Sequence, residues 1–74
     1  MRVTVKLYAS LQNGRFEEDT LEVPAGTRVG RIAADLGIPA GQVGILLVNG
    51  SHGRLDDVLA PGASVALFPP VGGG

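Results

Sequence analysis

The segment FPPVGGG, Phe68 to Gly74, restricts the chemistry of this chain more than any other stretch. Three glycines together at a terminus should fray in solution, so this tail is either a passive leftover or the working part. A carboxyl terminus has a pKa of about 3.3–3.7, so at neutral pH it is an anion that nucleophiles leave alone until it is activated. Pro69 and Pro70 stiffen the approach into an extended spacer that projects the glycines away from the domain. A phosphate-cradling loop is excluded, because such a loop needs a helix immediately after it and no helix follows Gly72, Gly73 and Gly74 here.

The remaining candidates are weaker. With no cysteine, the chain has no thiol nucleophile, thiolate metal site or disulfide of its own, and any sulfur it handles is borrowed. Glu17, Glu18 and Asp19 form a run in a polar stretch and Asp56–Asp57 sits among turn residues, both the pattern of solvated surface. His52 is the only histidine, without clustered ligands to make a metal site. Lys6 is the only lysine and falls on the polar side of an alternating segment, where a solvated charge is the ordinary explanation.

Length and charge narrow the classes further. At 74 residues there is room for one core, and a chain of this size buries about 60% of the surface its unfolded form exposes. A formal charge of −1 with scattered signs offers no basic stripe for nucleic acid and no polybasic membrane anchor. The opening MRVTVKLYAS alternates instead of running apolar, so neither a signal peptide nor a membrane span is expected, and the default location is cytoplasmic. The expected organisation is a domain over residues 1–70 followed by a mobile tail over 71–74, monomeric when alone.

The elements that must position this tail follow from periodicity. Val3, Val5 and Leu7 alternate with polar residues, predicting a first strand over residues 2–8. ASLQNGRFEED reads as a loose polar loop with an Asn13–Gly14 turn, and TLEV as a second strand with Leu21 and Val23 facing in. Thr27 is placed to cap a helix whose apolar stripe is Val29, Ile32, Ala33 and Leu36, ending at Gly37. ILLVNG predicts a strand covered on both sides or facing a partner, SHGRLDDVLAPG predicts turns with one short edge strand, and SVALFP predicts the last strand. If Val65 and Leu67 face the helix, Phe68 faces out beside the tail. Strands at both ends around one helix suit an α+β layer, the β-grasp or ubiquitin-like arrangement: a mixed sheet with one main helix on one face, first and last strands parallel in its middle.

The motifs VNG (Val48–Gly50), PG (Pro61–Gly62) and ALFPPVGGG give the chain a likeness. It resembles the MoaD/ThiS family of ubiquitin-like sulfur carriers, above all the molybdopterin synthase small-subunit branch. It departs from the family in a short, not obviously helical loop after the first strand, and in Ala63 where an acidic residue commonly follows the glycine.

The resemblance implies that the chain is a carrier and not an enzyme. A separate adenylating enzyme, using ATP and Mg²⁺, would convert the carboxylate of Gly74 into an acyl-adenylate, and a sulfur donor would then give a thiocarboxylate. Gly73, Gly72, Val71, Pro70, Pro69 and Phe68 would be the partner-binding tail. The sulfur acceptor would be a molybdopterin synthase large subunit or an analogue in a tungsten-cofactor, thiamin-thiazole or other pathway. A ubiquitin-like modifier joined to lysines, and an interaction module with passive glycines, remain alternatives.

Overall fold

A computed structural model describes residues 1–71. Its strands are β1 (Arg2–Leu7), β2 (Glu18–Glu22), β3 (Ile45–Val48), β4 (Ser51–His52) and β5 (Ser64–Phe68), with one α-helix, α1 (Val29–Asp35). They form one mixed sheet in the order β2-β1-β5-β3-β4. β1 and β5 run parallel side by side, in the register Val5↔Val65 and Leu7↔Leu67, and every other pairing is antiparallel. This is the expected β-grasp, with its first and last strands adjacent at the centre.

The period-two pattern places Val3, Val5, Leu7, Leu46, Val65 and Leu67 on one face of the sheet, where all are buried. Val29, Ile32 and Ala33 of α1 close over that face, while Leu21, Val23 and Leu36 are half-buried and pack against the same cluster. β4 is the short edge strand expected after Asn49–Gly50, whose positive φ values of 52° and 84° make the tight turn.

Three local readings are corrected. Thr27 does not cap α1: its hydroxyl donates to the Pro24 carbonyl (2.6 Å), and Arg28 occupies the N-cap position, its guanidinium donating to the Asp56 carbonyl (2.6 Å) and not to the helix. The free amides of Val29 and Gly30 donate instead to the carbonyls of Asp57 (3.1 Å) and Leu55 (2.7 Å), so a neighbouring turn supplies what a capping side chain would. The segment after β1 is not loose. Ala9–Gln12 forms a 3₁₀ turn that buries Leu11 in the core, and Arg15 donates to the carbonyls of Leu11, Leu36 and Gly37, tying this segment to the end of α1. Finally, Glu18 and Asp19 belong to β2 and not to a loop, because an edge strand leaves such carboxylates in solvent while their backbones pair with Lys6 and Val5.

The end of α1 follows the sequence. Gly37, at φ +73°, lets its own amide donate to the Ala34 carbonyl (3.0 Å) and the Ile38 amide to the Ala33 carbonyl (2.9 Å), a Schellman closure that turns Ile38 into the core.

Candidate functional site

The face of the sheet turned away from α1 carries the other half of each alternation. Lys6, Ala66, Leu47 and His52 lie in one row across β1, β5, β3 and β4, and Phe68 pairs with Ile45 in the next row toward the carboxyl end. Tyr8, just past β1, continues the outward series Arg2, Thr4, Lys6, and its ring stacks on Phe68 with centroids 4.2 Å apart and planes 10° from parallel. Phe68 therefore faces out, as the burial of Val65 and Leu67 requires. Tyr8 and Ile45 are each 37% exposed, large apolar surface in the same corner as the chain exit.

The exit itself is set by proline chemistry. The Tyr8 amide donates to the Leu67 carbonyl (3.1 Å) and the Gly44 amide to the Phe68 carbonyl (2.7 Å), so the last two residues of β5 are held from both sides. Pro69 and Pro70 have no N–H to extend the ladder, and the strand stops at Phe68. Pro69 is half-buried, Pro70 is exposed, and Val71 is 89% exposed. Gly72, Gly73 and Gly74 lie outside the described residues, and with them the expected mobility of the tail.

The charged candidates are dispersed. Glu22 pairs with Arg2 (2.8 Å), whose guanidinium hydrogen bond holds the carboxyl below the ordinary glutamate range, with the Met1 ammonium and the Arg2 charge adding to the effect. Asp56 lies 3.5 Å from Arg54, and the Asp57 carboxylate accepts the Arg54 amide (2.9 Å). His52 sits on the edge strand β4 opposite Leu47 and not in a loop. Among the described residues no three His, Asp or Glu side chains come together in a metal-binding group, and no helix is long and apolar enough to cross a membrane.

The arrangement thus sets an apolar corner of the outer sheet face, formed by Tyr8, Phe68 and Ile45, beside the diproline exit. Sequence reading put Phe68 outward only on the condition that Val65 and Leu67 face the helix, and offered a partner-facing surface for the strand of Ile45 and Leu47 without joining it or Tyr8 to Phe68. Tyr8 was findable, since it extends the alternation of β1 by one residue; Ile45 and Leu47 depend on the β3–β5 register.

Residues 5–74 match the ThiS family. The chain belongs to that family. Solved structures extend the likeness along the whole length of this ThiS-family chain. SAMP1, the small archaeal modifier protein 1 of Haloferax volcanii, is 28% identical, each chain fully covered, with a TM-score of 0.75. A Pyrococcus furiosus protein assigned as molybdopterin converting factor, subunit 1, is 26% identical over 96% of this chain and 99% of its own, TM-score 0.75. The complex of subunits 1 and 2 of molybdopterin-converting factor from Helicobacter pylori contains a chain 22% identical, fully covered on both sides, TM-score 0.66, which shares the fold. No curated protein sequence matches the chain. The fold is that of the ubiquitin-like sulfur carriers.

Proposed function

We propose that this protein carries sulfur on its end. In this reading the Gly74 carboxylate attacks the α-phosphate of ATP in an adenylating partner, where Mg²⁺ offsets the phosphate charge, and pyrophosphate leaves. Sulfur at the level of hydrosulfide then adds to the acyl carbon and expels AMP, leaving a thiocarboxylate. When a second protein takes up that sulfur, water restores the carboxylate. The observation that carries the reading is the match to the ThiS family through Gly74, joined to an apolar face from which the diproline exit departs.

The chain supplies the reacting carbonyl carbon of Gly74 and no catalytic side chain. Phe68, with Tyr8 and Ile45, docks the partner, while Pro69, Pro70, Val71, Gly72 and Gly73 thread the channel. Ordering three glycines costs about 1–2 kcal/mol each, so the tail binds poorly alone and the sheet face must offset that cost. The acceptor favoured here is the large subunit of a molybdopterin synthase. The FPPV spacer and the likeness to molybdopterin converting factor subunit 1 support it over a thiazole or other acceptor.

The test is intact mass after incubation with the adenylating enzyme of the same organism, ATP, Mg²⁺ and a sulfur donor. The native chain should gain the difference between one sulfur and one oxygen. A chain lengthened by one residue beyond Gly74 moves the reacting atom by about 3.3–3.6 Å and should gain nothing, as should a Gly74 deletion. Equal sulfur uptake by the lengthened chain, or none by the native chain, refutes the carrier. The likeness to SAMP1 favours one second reading, a modifier, in which the same adenylate is captured by a lysine amine; a stable amide conjugate in place of the mass gain identifies it.

A further inference from the structure

Gly44, the residue before β3, faces the first two residues after β5. A Cβ placed on it would lie 2.5 Å from Pro70 Cα, 2.7 Å from the Pro69 carbonyl oxygen and 2.7 Å from Pro70 N. All three are backbone atoms, so no side chain can swing aside to make room. The φ of Gly44 is not in the left-handed region, so space and not backbone conformation requires glycine here. The same residue's amide donates to the Phe68 carbonyl at 2.7 Å, which fixes its distance from the strand that leads into the exit. Gly41, three residues earlier and likewise without a positive φ, has nothing within 4 Å of its Cβ position.

We infer that Gly44 is a positioning residue for the reactive end, a bare seat on which the Pro69–Pro70 backbone rests and which sets the direction in which the chain leaves the sheet toward Gly74. Carbon atoms in contact sit about 3.5–4.0 Å apart, so Gly44→Ala must lift Pro70 by about 1 Å or more. Two consecutive prolines absorb such a shift badly, because each has a fixed φ, and the displacement passes to the residues beyond. A misplacement of about 1 Å at a reacting group can lower a rate by about a hundredfold. The seat stands on the contacts alone, whereas its chemical consequence rests on the carrier reading.

The experiment compares Gly44→Ala with Gly41→Ala in the full chain. Because prolines have no amide signal, the exit is read from the ¹³Cα–¹Hα resonances of Pro69 and Pro70 and the amide of Val71. These should move in Gly44→Ala and stay in Gly41→Ala, with the helix amides unchanged in both. Adenylation is then followed as pyrophosphate release with the adenylating enzyme of the same organism. Gly44→Ala should lower kcat about tenfold or more with KM within about threefold, since the docking face is intact, and Gly41→Ala should match the native chain. Unmoved proline resonances in Gly44→Ala overturn the seat. A raised KM with unchanged kcat, which would make Gly44 part of the docking surface, or a native kcat with the prolines displaced, overturns its role in positioning the reactive end. If the native chain forms no adenylate, the carrier reading fails and the proline resonances still decide the seat.

Discussion

Leu67 and Phe68 are neighbours in β5 on opposite faces, so truncating each separates folding from docking. Leu67 is fully buried between Leu7 and Leu46, and Leu67→Ala opens a cavity that costs about 2–5 kcal/mol. For a chain of this length, at about 4–8 °C per kcal/mol, the melting temperature should fall by roughly 8–40 °C. Phe68 is half-buried and its ring stacks on that of Tyr8, centroids 4.2 Å apart. Phe68→Ala forfeits an aromatic pair and part of the ring's burial, about 1–2 kcal/mol, and leaves no hole in the core. If the outer face docks the partner, the same change removes a central aromatic anchor at about 2 kcal/mol or more, near thirtyfold in Kd. Differential scanning calorimetry beside a calorimetric titration with the molybdopterin synthase large subunit makes the comparison. A Phe68→Ala protein that melts as low as Leu67→Ala yet binds with native Kd would refute the assignment of the outer face.

Removing the Arg15 guanidinium, with its bonds to Leu36 (2.8 Å), Gly37 (3.1 Å) and Leu11 (3.1 Å), should destabilise the fold by about 1–3 kcal/mol in urea unfolding, and Arg15→Lys should not restore it, because an ammonium cannot span that fork. Gly37→Ala forces a methyl group onto a φ of +73° and should cost about 1 kcal/mol by the same measure, with the helix resonances from Ala33 to Ile38 the most displaced. Glu22 is held below the ordinary glutamate pKa by Arg2, so its contribution to stability is present above its unfolded-state pKa and lost as pH falls through its lower folded value; in Arg2→Gln, NMR titration should find the Glu22 midpoint raised toward the ordinary range.

The sheet was legible because its signals were periodic. Val3, Val5, Leu7, Val65 and Leu67 declare a buried face by alternation alone, and the stripe Val29, Ile32, Ala33 with Gly37 behind it declares the helix that covers it. What escaped were interactions between segments distant in sequence. Nothing near Thr27 says that the carbonyls of Leu55 and Asp57 will take the amides a capping side chain would serve. A lone Leu11 among polar residues has no period, so its burial depends on a 3₁₀ turn that only the packed core selects. The outward place of Phe68 could be read from β5, but its stack on Tyr8 comes from the parallel β1–β5 pairing. Gly44 carries no local signal, because its reason lies against Pro69 and Pro70, more than twenty residues away.

In the carrier reading the chain brings no catalytic side chain to the reaction, and it would determine the geometry through the frame from which the reacting atom is suspended. β5 is bonded to β1 on one side and β3 on the other, and it contributes Val65 and Leu67 to the core. Its last two carbonyls accept from Tyr8 and Gly44, so the bonds persist from both sides up to the residue where proline ends the ladder. Fraying of this strand would therefore open the centre of the sheet along with the exit, and the free energy needed to loosen it approaches that of global unfolding. An edge strand such as β2 could carry a glycine tail equally well by sequence, but its end would open at little cost and the tail would leave in many directions. In the carrier reading, placing the exit on the central strand, with Gly44 beneath the prolines and Phe68 and Ile45 beside them, would give the partner a fixed origin from which to measure its channel.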